Sequence, residues 1–321
     1  MKAISETSKG ILFLITSAFF FALMAVFVRL AGDIHFVQKA FFRNAVAFII
    51  ALFGLMKDVR VSGKVAAAIP KGALIFLLLR SIGGSIGIFG NFYAIDRLVL
   101  SDASILNKMA PFFAILFSFI FIKEKIRIIP LVSIIIAFLG SMLVVKPSFQ
   151  FTQMLPTLAG FLGGVGAGLA YACVRKLSTL KCNGKLIIFF FSGFSMLLTI
   201  PYMIFNFNPM STYQVLMLIG AGVCAAAGQF TITAAYYHAP ASEISIYDYS
   251  QIIFSTMLGF FFFGMIPDYL SVIGYVIIIT MALLNFLYHK SSVRPSTSPS
   301  AGSGRSSGTA EVNAPTTQRG S

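Results

Sequence analysis

Apolar residues in this chain come in long uninterrupted runs, without the alternation of a half-buried strand or the narrow stripe of a surface helix. A helix needs about 20 apolar residues to cross the hydrocarbon core of a bilayer. Ten segments reach that scale: near 10–30, 36–56, 73–95, 99–122 and 129–145, then 154–174, 184–205, 213–237, 241–264 and 270–288. Runs this long and this uniform argue for helices over the strands of a lipid-facing barrel. The pattern predicts an all-α integral membrane protein with ten transmembrane helices.

The sparse polar positions inside these runs repeat. LSDASILNKMAPFFAILFSFIFIKEK (100–125) aligns with ASEISIYDYSQIIFSTMLGFFFFGMI (241–266), so that Asp102 falls on Glu243 and Asn107 on Asp248. Upstream in the same register Gly87 falls on Gly228, Phe89 on Phe230 and Ala94 on Ala235. The chain therefore divides into two five-helix repeats, 1–146 and 147–290, followed by a segment 291–321. An odd number of crossings per repeat makes the second enter the bilayer inverted, the architecture by which many secondary transporters expose one central site to either face. From Ser291 on large apolar side chains nearly vanish, and a disordered cytoplasmic tail is expected.

Composition agrees with the runs: 58% hydrophobic and 11% charged residues, with a mean hydropathy of +0.90. The net charge of +14 raises the question of nucleic-acid binding, but its placement speaks against it. Lys2 and Lys9, Lys57, Arg60, Lys64 and Lys71, Lys123, Lys125 and Arg127, and Arg175, Lys176, Lys181 and Lys185 all fall on one side of the expected topology. The other side holds mainly Arg29, Lys39, Arg97 and Lys146. The positive-inside rule then places both termini in the cytoplasm of a cell (inner or plasma) membrane protein. Helix one is read as an uncleaved span, because its apolar run exceeds a signal core and no small-residue cleavage site follows.

Chemistry is as informative for what is missing. There is no GxxxxGK[ST] phosphate loop and no loop large enough for an ATPase domain, so uphill work would come from a coupling proton, another ion or a counter-substrate. No HExxH helix, paired-aspartate motif or serine–histidine arrangement stands out, and the reading is that this is not an enzyme and needs no cofactor or metal. Cys173, Cys182 and Cys224 lack metal-ligand spacing and read as packing or surface thiols.

Ionisable groups inside a bilayer cost a few kcal/mol each and mark function by default. Lys108, about nine residues into helix four, and Asp248, about seven residues into helix nine, stand out and approach the midplane from opposite sides. Ser101, Ser104 and Lys108, with Asn107 beside them, share a helical face, as do Ser245, Asp248, Gln251 and Ser255. Such stripes should line a cavity. Lys108 and Asp248 would there grip opposite charges of one substrate, or pair with each other to hold the halves together. Asp248 is also a candidate proton carrier, since burial disfavours an ionised carboxylate.

Tyr93 and Asn91 on helix three, Tyr171 on helix six, Gln229 on helix eight, and Tyr247 and Tyr249 beside the acid complete the candidate substrate-binding set. Arg29 and Arg175, in the matching contexts FVRL and CVRKL, read as headgroup anchors, and Arg43 and Arg80 as snorkelling side chains near helix starts. Glu124, between Lys123 and Lys125, is expected in a cytoplasmic salt bridge that locks one conformation. Gly160, Gly164 and Gly168, and Gly83 with Gly87, fall four apart, as tight helix contacts require.

Tyr93-Ala94-Ile95, Ala103-Ser104, Pro111-Phe112-Phe113 and Glu124, echoed by Ala234-Ala235-Tyr236, Ala241-Ser242 and IGYVIIITMALL, resemble the EamA branch of the drug/metabolite transporter superfamily across residues 10–288. The resemblance implies a substrate cavity lined by helices one, three, four, six, eight and nine. It also implies export or exchange of a small metabolite, amino acids among them, or uptake of compounds such as S-adenosylmethionine, riboflavin or choline. Met265 stands where many members repeat the glutamate matched by Glu124, and Ile252 matches Pro111, so a symmetric site is not implied. A zwitterionic, amino-acid-like solute is the leading expectation. A cationic or flat aromatic solute held by Asp248 and tyrosines, or a channel or non-translocating sensor, are the alternatives. A monomer can enclose such a site, and a homodimer is also compatible.

Overall fold

The computed structural model describes residues 5–63, 67–98, 100–148 and 153–292. Side chains of Ser62, Asp96, Leu100, Ser101, Asp102 and residues 289–292, and the expected tail beyond Ser292, lie outside the described residues. The described chain is helical with no strand. In order come α1 Glu6–Leu30, α2 Phe36–Ser62, α3 Ala73–Arg97, α4 Leu100–Asn107, α5 Ala110–Ile122 and α6 Ile128–Val145. There follow α7 Met154–Thr179, α8 Gly184–Phe205, α9 Thr212–His238, the single turn α10 Ala241–Ile244, a 3-10 turn Ser245–Tyr249, α11 Ser250–Phe263 and α12 Tyr269–Ser292.

Among the described residues nine helices are long and apolar enough to cross a membrane, with 103–122 counted as one. The expected span 241–264 is broken into α10, the 3-10 turn and α11. The expected fourth span also breaks, between Asn107 and Ala110. There Pro111 sits in the first turn of α5, lacks an N–H, and its ring would collide with the carbonyl of Asn107, so α4 stops. The two breaks fall at the same place in the aligned copies, and each copy then ends in a left-handed residue at matching positions, Lys123 (φ 59°) and Gly264 (φ 65°). Large apolar side chains such as Leu12, Phe53, Leu74, Phe261 and Val276 stand exposed around the bundle. This is the surface a multi-pass membrane protein turns to lipid.

The packing pattern is unchanged when the halves are exchanged. α3 packs on α7 as α1 packs on α9, α5 on α7 as α11 on α1, and α2 on α8 and α6 on α12 join corresponding helices. Glycine permits the closest of these approaches. A Cβ on Gly90 would sit 2.4 Å from the Ala159 carbonyl oxygen, and one on Gly274 would sit 2.5 Å from that of Gly140. α7 carries two such faces: Gly163 and Gly166 meet α3, whereas Gly160, Gly164 and Gly168 meet α4, the break and α5.

Taking the end where α1 starts as the lower one, α7 and α9 finish there: Gly10 lies on Ala239, and Arg175 donates to the carbonyls of Tyr236 and Tyr237. At the upper end α2 begins beside the finish of α8, with His35 stacked on Tyr202 (4.5 Å), and Lys146 and Asp268 tie α6 to the start of α12. That partner, with Ser271, holds the Asp268 carboxyl down to about 2.

Candidate functional site

Breaking a helix inside a membrane frees backbone groups that lipid cannot satisfy, so the breaks persist only where protein partners take them up. The Tyr249 hydroxyl donates to the Lys108 carbonyl (3.2 Å) and the Asn285 amide to the Glu243 carbonyl (2.9 Å), while the Tyr247 hydroxyl ties the second break to the Ala282 carbonyl of α12 (3.1 Å). The Tyr236 hydroxyl meets Ser245 Oγ at 3.3 Å. The two breaks face each other across the bundle, each supporting the other.

Lys108 projects from the first break into the second. Its ammonium donates to Asp248 Oδ2 (3.0 Å), Gln251 Oε1 (2.7 Å) and the Asp248 carbonyl (3.4 Å), and both charged residues are buried. Here the two ionisable groups that the sequence singles out come together as a pair. Neither lies within a regular helix, because the chain leaves α-geometry at both.

Above the pair is a cavity of about 970 Å³. Lys108 and Gln251 reach it from below, Ser104, Asn107 and Asn91 line one flank and Ser255 and Thr256 another, and it extends to Arg29, Met265 and Ile266 at the upper end. Arg29 and Ile266 are exposed there, so the cavity opens upward. Below the pair the bundle is closed. Tyr171 stacks on Tyr236 (5.5 Å), Arg175 Nε donates to Glu124 Oε1 (2.7 Å), His238 meets Glu6 (2.6 Å), and Thr7 donates to Glu243 (3.1 Å).

Of the candidate residues, Lys108, Asn107, Gln251 and Asn91 line the cavity, and Asp248 lies at its floor as the partner of Lys108. Tyr247 and Tyr249 do not line it; both are buried, Tyr249 on the Lys108 carbonyl that the first break releases and Tyr247 on the Ala282 carbonyl of α12. Tyr93 points toward Phe36 and Arg97, and Tyr171 belongs to the closed lower layer. Gln229 accepts from Arg80 Nη2 (2.8 Å), away from the cavity. Ser104 and Ser255 of the two polar stripes line the cavity, Ser245 is buried against Tyr236, and the Ser101 side chain lies outside the described residues.

Several arginines differ from the sequence expectation. Arg175 is no headgroup anchor but half of the lower ion pair with Glu124, which is the salt bridge expected of that acid. Arg29 sits at the cavity mouth, over the Phe263 ring (4.3 Å) and against Met265. Arg80 and Arg43 do not snorkel; they are 2% and 7% exposed in the protein interior. Their nearness to helix starts conceals this in the sequence, since depth along a helix says nothing about which face turns inward. Asn285 gives no sequence signal either: an asparagine near the end of a span has no visible purpose without the second break.

The EamA-like transporter family matches residues 8–146. The pseudopaline exporter CntI of Pseudomonas aeruginosa is 30% identical over 276 residues, 85% of this chain and 94% of its own length. The chain belongs to the EamA-type drug/metabolite transporters. Mouse solute carrier family 35 member G1 is 27% identical over 83% of this chain and 74% of its own. A solved crystal structure superposes with a TM-score of 0.74 over 88% of this chain and 98% of the other, at 15% identity, a likeness of fold. This EamA protein is thus related to membrane proteins named as exporters and transporters.

Proposed function

We propose that this EamA protein is a secondary active transporter, exporter or exchanger, of a small organic metabolite with amino-acid-like, zwitterionic character, working by alternating access. The observation that carries the reading is the Lys108–Asp248 pair at the blind end of a cavity open to one side only. A zwitterion arriving there can exchange one ion pair for two, its carboxylate taking Lys108 and its ammonium Asp248. Gln251, Asn107 and Asn91 supply neutral hydrogen bonds around it. Charged groups desolvated in such a pocket discriminate strongly, because a solute lacking either charge leaves one buried group unpaired.

The exchange symmetry of the packing, the two matched breaks and the opposite directions of α1 and α7 support ten crossings arranged as two inverted repeats. On the positive-inside rule the lower end, with Lys9, Lys123, Lys125, Lys176, Lys181 and Lys185, is cytoplasmic, as are both termini. The cavity then faces outward and the Arg175–Glu124 layer is the closed inner gate. Export would begin with that gate open, driven by a proton gradient or a counter-substrate. One chain encloses the whole site, so a monomer suffices.

Counterflow in proteoliposomes tests the reading, with the lumen loaded in turn with amino acids, S-adenosylmethionine, choline and riboflavin. Saturable trans-stimulation by an amino acid, lost in Asp248→Asn, is the expected result. Selective stimulation by choline would overturn the zwitterion assignment, and flux without trans-stimulation would replace the carrier with a pore.

A further inference from the structure

Behind the Tyr171–Tyr236 stack lies a second polar centre with no place in the zwitterion site. Arg80 on α3 is fully enclosed: its guanidinium lies 4.0 Å from the centroid of the Phe191 ring and donates to Gln229 Oε1 at 2.8 Å. Gly84 makes room for it, since a Cβ there would lie 2.3 Å from Arg80 Nη1. Arg43 on α2 is buried nearby, an electrostatic neighbour of Arg80, and donates to Asn44 Oδ1 at 3.3 Å. Among the described residues neither arginine has a carboxylate within salt-bridge distance.

Donors are left over on the helices that carry the two guanidiniums, Phe191 and Gln229. Arg80 Nε, Asn44 Nδ2 and the hydroxyls of Ser81, Ser192 and Thr233 are buried with no hydrogen-bond partner among the described residues. These side chains come from α2, α3, α8 and α9, two helices from each half. Among the described residues the buried charged residues are thus three cations, Arg43, Arg80 and Lys108, against one acid, Asp248. A guanidinium with no counter-charge in a low-dielectric interior is costly to keep, by several kcal/mol per ion. Its natural complement is an oxyanion, which accepts from the guanidinium fork, Arg80 Nε among the donors left free.

We infer that Arg43 and Arg80 form a second anion subsite, which takes an additional carboxylate of the transported solute when the lower half of the bundle opens. This rests on the proposed transport function and narrows its substrate to an amino-acid-like compound with at least one further acidic group. Tyr171 is near enough to Asp248 and to both arginines to interact electrostatically with all three, so the subsite and the Lys108–Asp248 pair share it as a neighbour. A solute long enough to reach from one to the other touches both.

The test is thermal stabilisation of the full-length protein in lipid nanodiscs, titrated with glutamine, glutamate, citrate, sodium chloride and sodium phosphate. Glutamate or citrate should raise Tm saturably, and glutamine should bind at least about tenfold more weakly, the loss expected for one charge-assisted contact. Arg43→Gln and Arg80→Lys should each weaken the acidic probe about 10- to 100-fold. Arg80→Met, which removes the uncompensated charge, should leave the ligand-free Tm unchanged or higher while abolishing the response. Equal responses to glutamine and glutamate, a response to chloride or phosphate alone, an undiminished response in the variants, or no response to any probe would each overturn the subsite. Counterflow run in parallel separates the two readings. Zwitterion exchange without anion stabilisation leaves transport standing and removes the subsite, whereas stabilisation without flux does the reverse.

Discussion

Lys108 and Asp248 are charged side chains that water cannot reach freely, and each is tolerable only because the other is 3.0 Å away. Removing one partner leaves an uncompensated buried charge, which typically costs about 3–5 kcal/mol. Lys108→Met should therefore lower Tm markedly and abolish substrate affinity, and adding Asp248→Asn should recover much of the stability but none of the transport. Recovery of affinity in the double variant would remove the pair from substrate recognition. Tyr249 makes the opposite case. Its hydroxyl serves the Lys108 carbonyl, so Tyr249→Phe orphans a buried acceptor, a loss of about 1–3 kcal/mol. Substrate affinity should change less than about twofold, because the ring does not reach the cavity. In the sequence Tyr247 and Tyr249 flank the acid and look like pocket aromatics; only the path of the backbone shows that Tyr249 serves a freed carbonyl and that Tyr247 ties the second break to α12.

At the scale of elements, the glycine faces of α7 decide how closely helices approach the breaks. A Cβ at Gly164 would sit 2.5 Å from the Leu106 carbonyl oxygen, and one at Gly168 would sit 2.4 Å from Phe113 Cβ. Backbone cannot yield as a side-chain tip can. Gly164→Leu should push α4 away from α7, displace Lys108 and eliminate counterflow although no charged side chain is removed; full activity in that variant would show that this contact does not position the site. The four-residue spacing of these glycines is legible in the sequence. So is that of Gly83 and Gly87; that they and Gly90 meet a second face of α7, at Gly163 and Gly166, emerges only from the packing of α3.

At the scale of the whole molecule, the cavity opens at the upper end, and below it an ion pair and a ring stack join the helices. Arg175 bonds Glu124 and the last carbonyls of α9 at once, joining α5, α7 and α9 under the cavity. Glu124→Gln should loosen this gate and shift the population toward the state open below. A cysteine placed at Asn91, within the cavity, reports the shift. With the native Cys173, Cys182 and Cys224 all buried, a membrane-impermeant maleimide applied to the upper side should label Asn91→Cys several-fold more slowly when Glu124→Gln is added. Unchanged or faster labelling would mean that the ion pair does not hold the lower end closed.

Length and hydropathy of the apolar runs suffice for a multi-pass helical membrane protein, because a bilayer admits so few ways of satisfying a backbone. The internal repeat and the family motifs carry the chain further, to an EamA-type transporter, and the rarity of charge in the runs singles out Lys108 and Asp248. Which polar groups meet is a different matter. Hydropathy reports how deep a residue lies along its helix but not the direction it faces, so Arg43 and Arg80 pass for snorkelling side chains and Arg175 for an anchor. The breaks near Lys108 and at Ser245–Tyr249 rest on partners more than 30 residues away in sequence, such as Asn285 and Tyr249. Contacts between distant segments decide those features, and they exist only once the halves have packed.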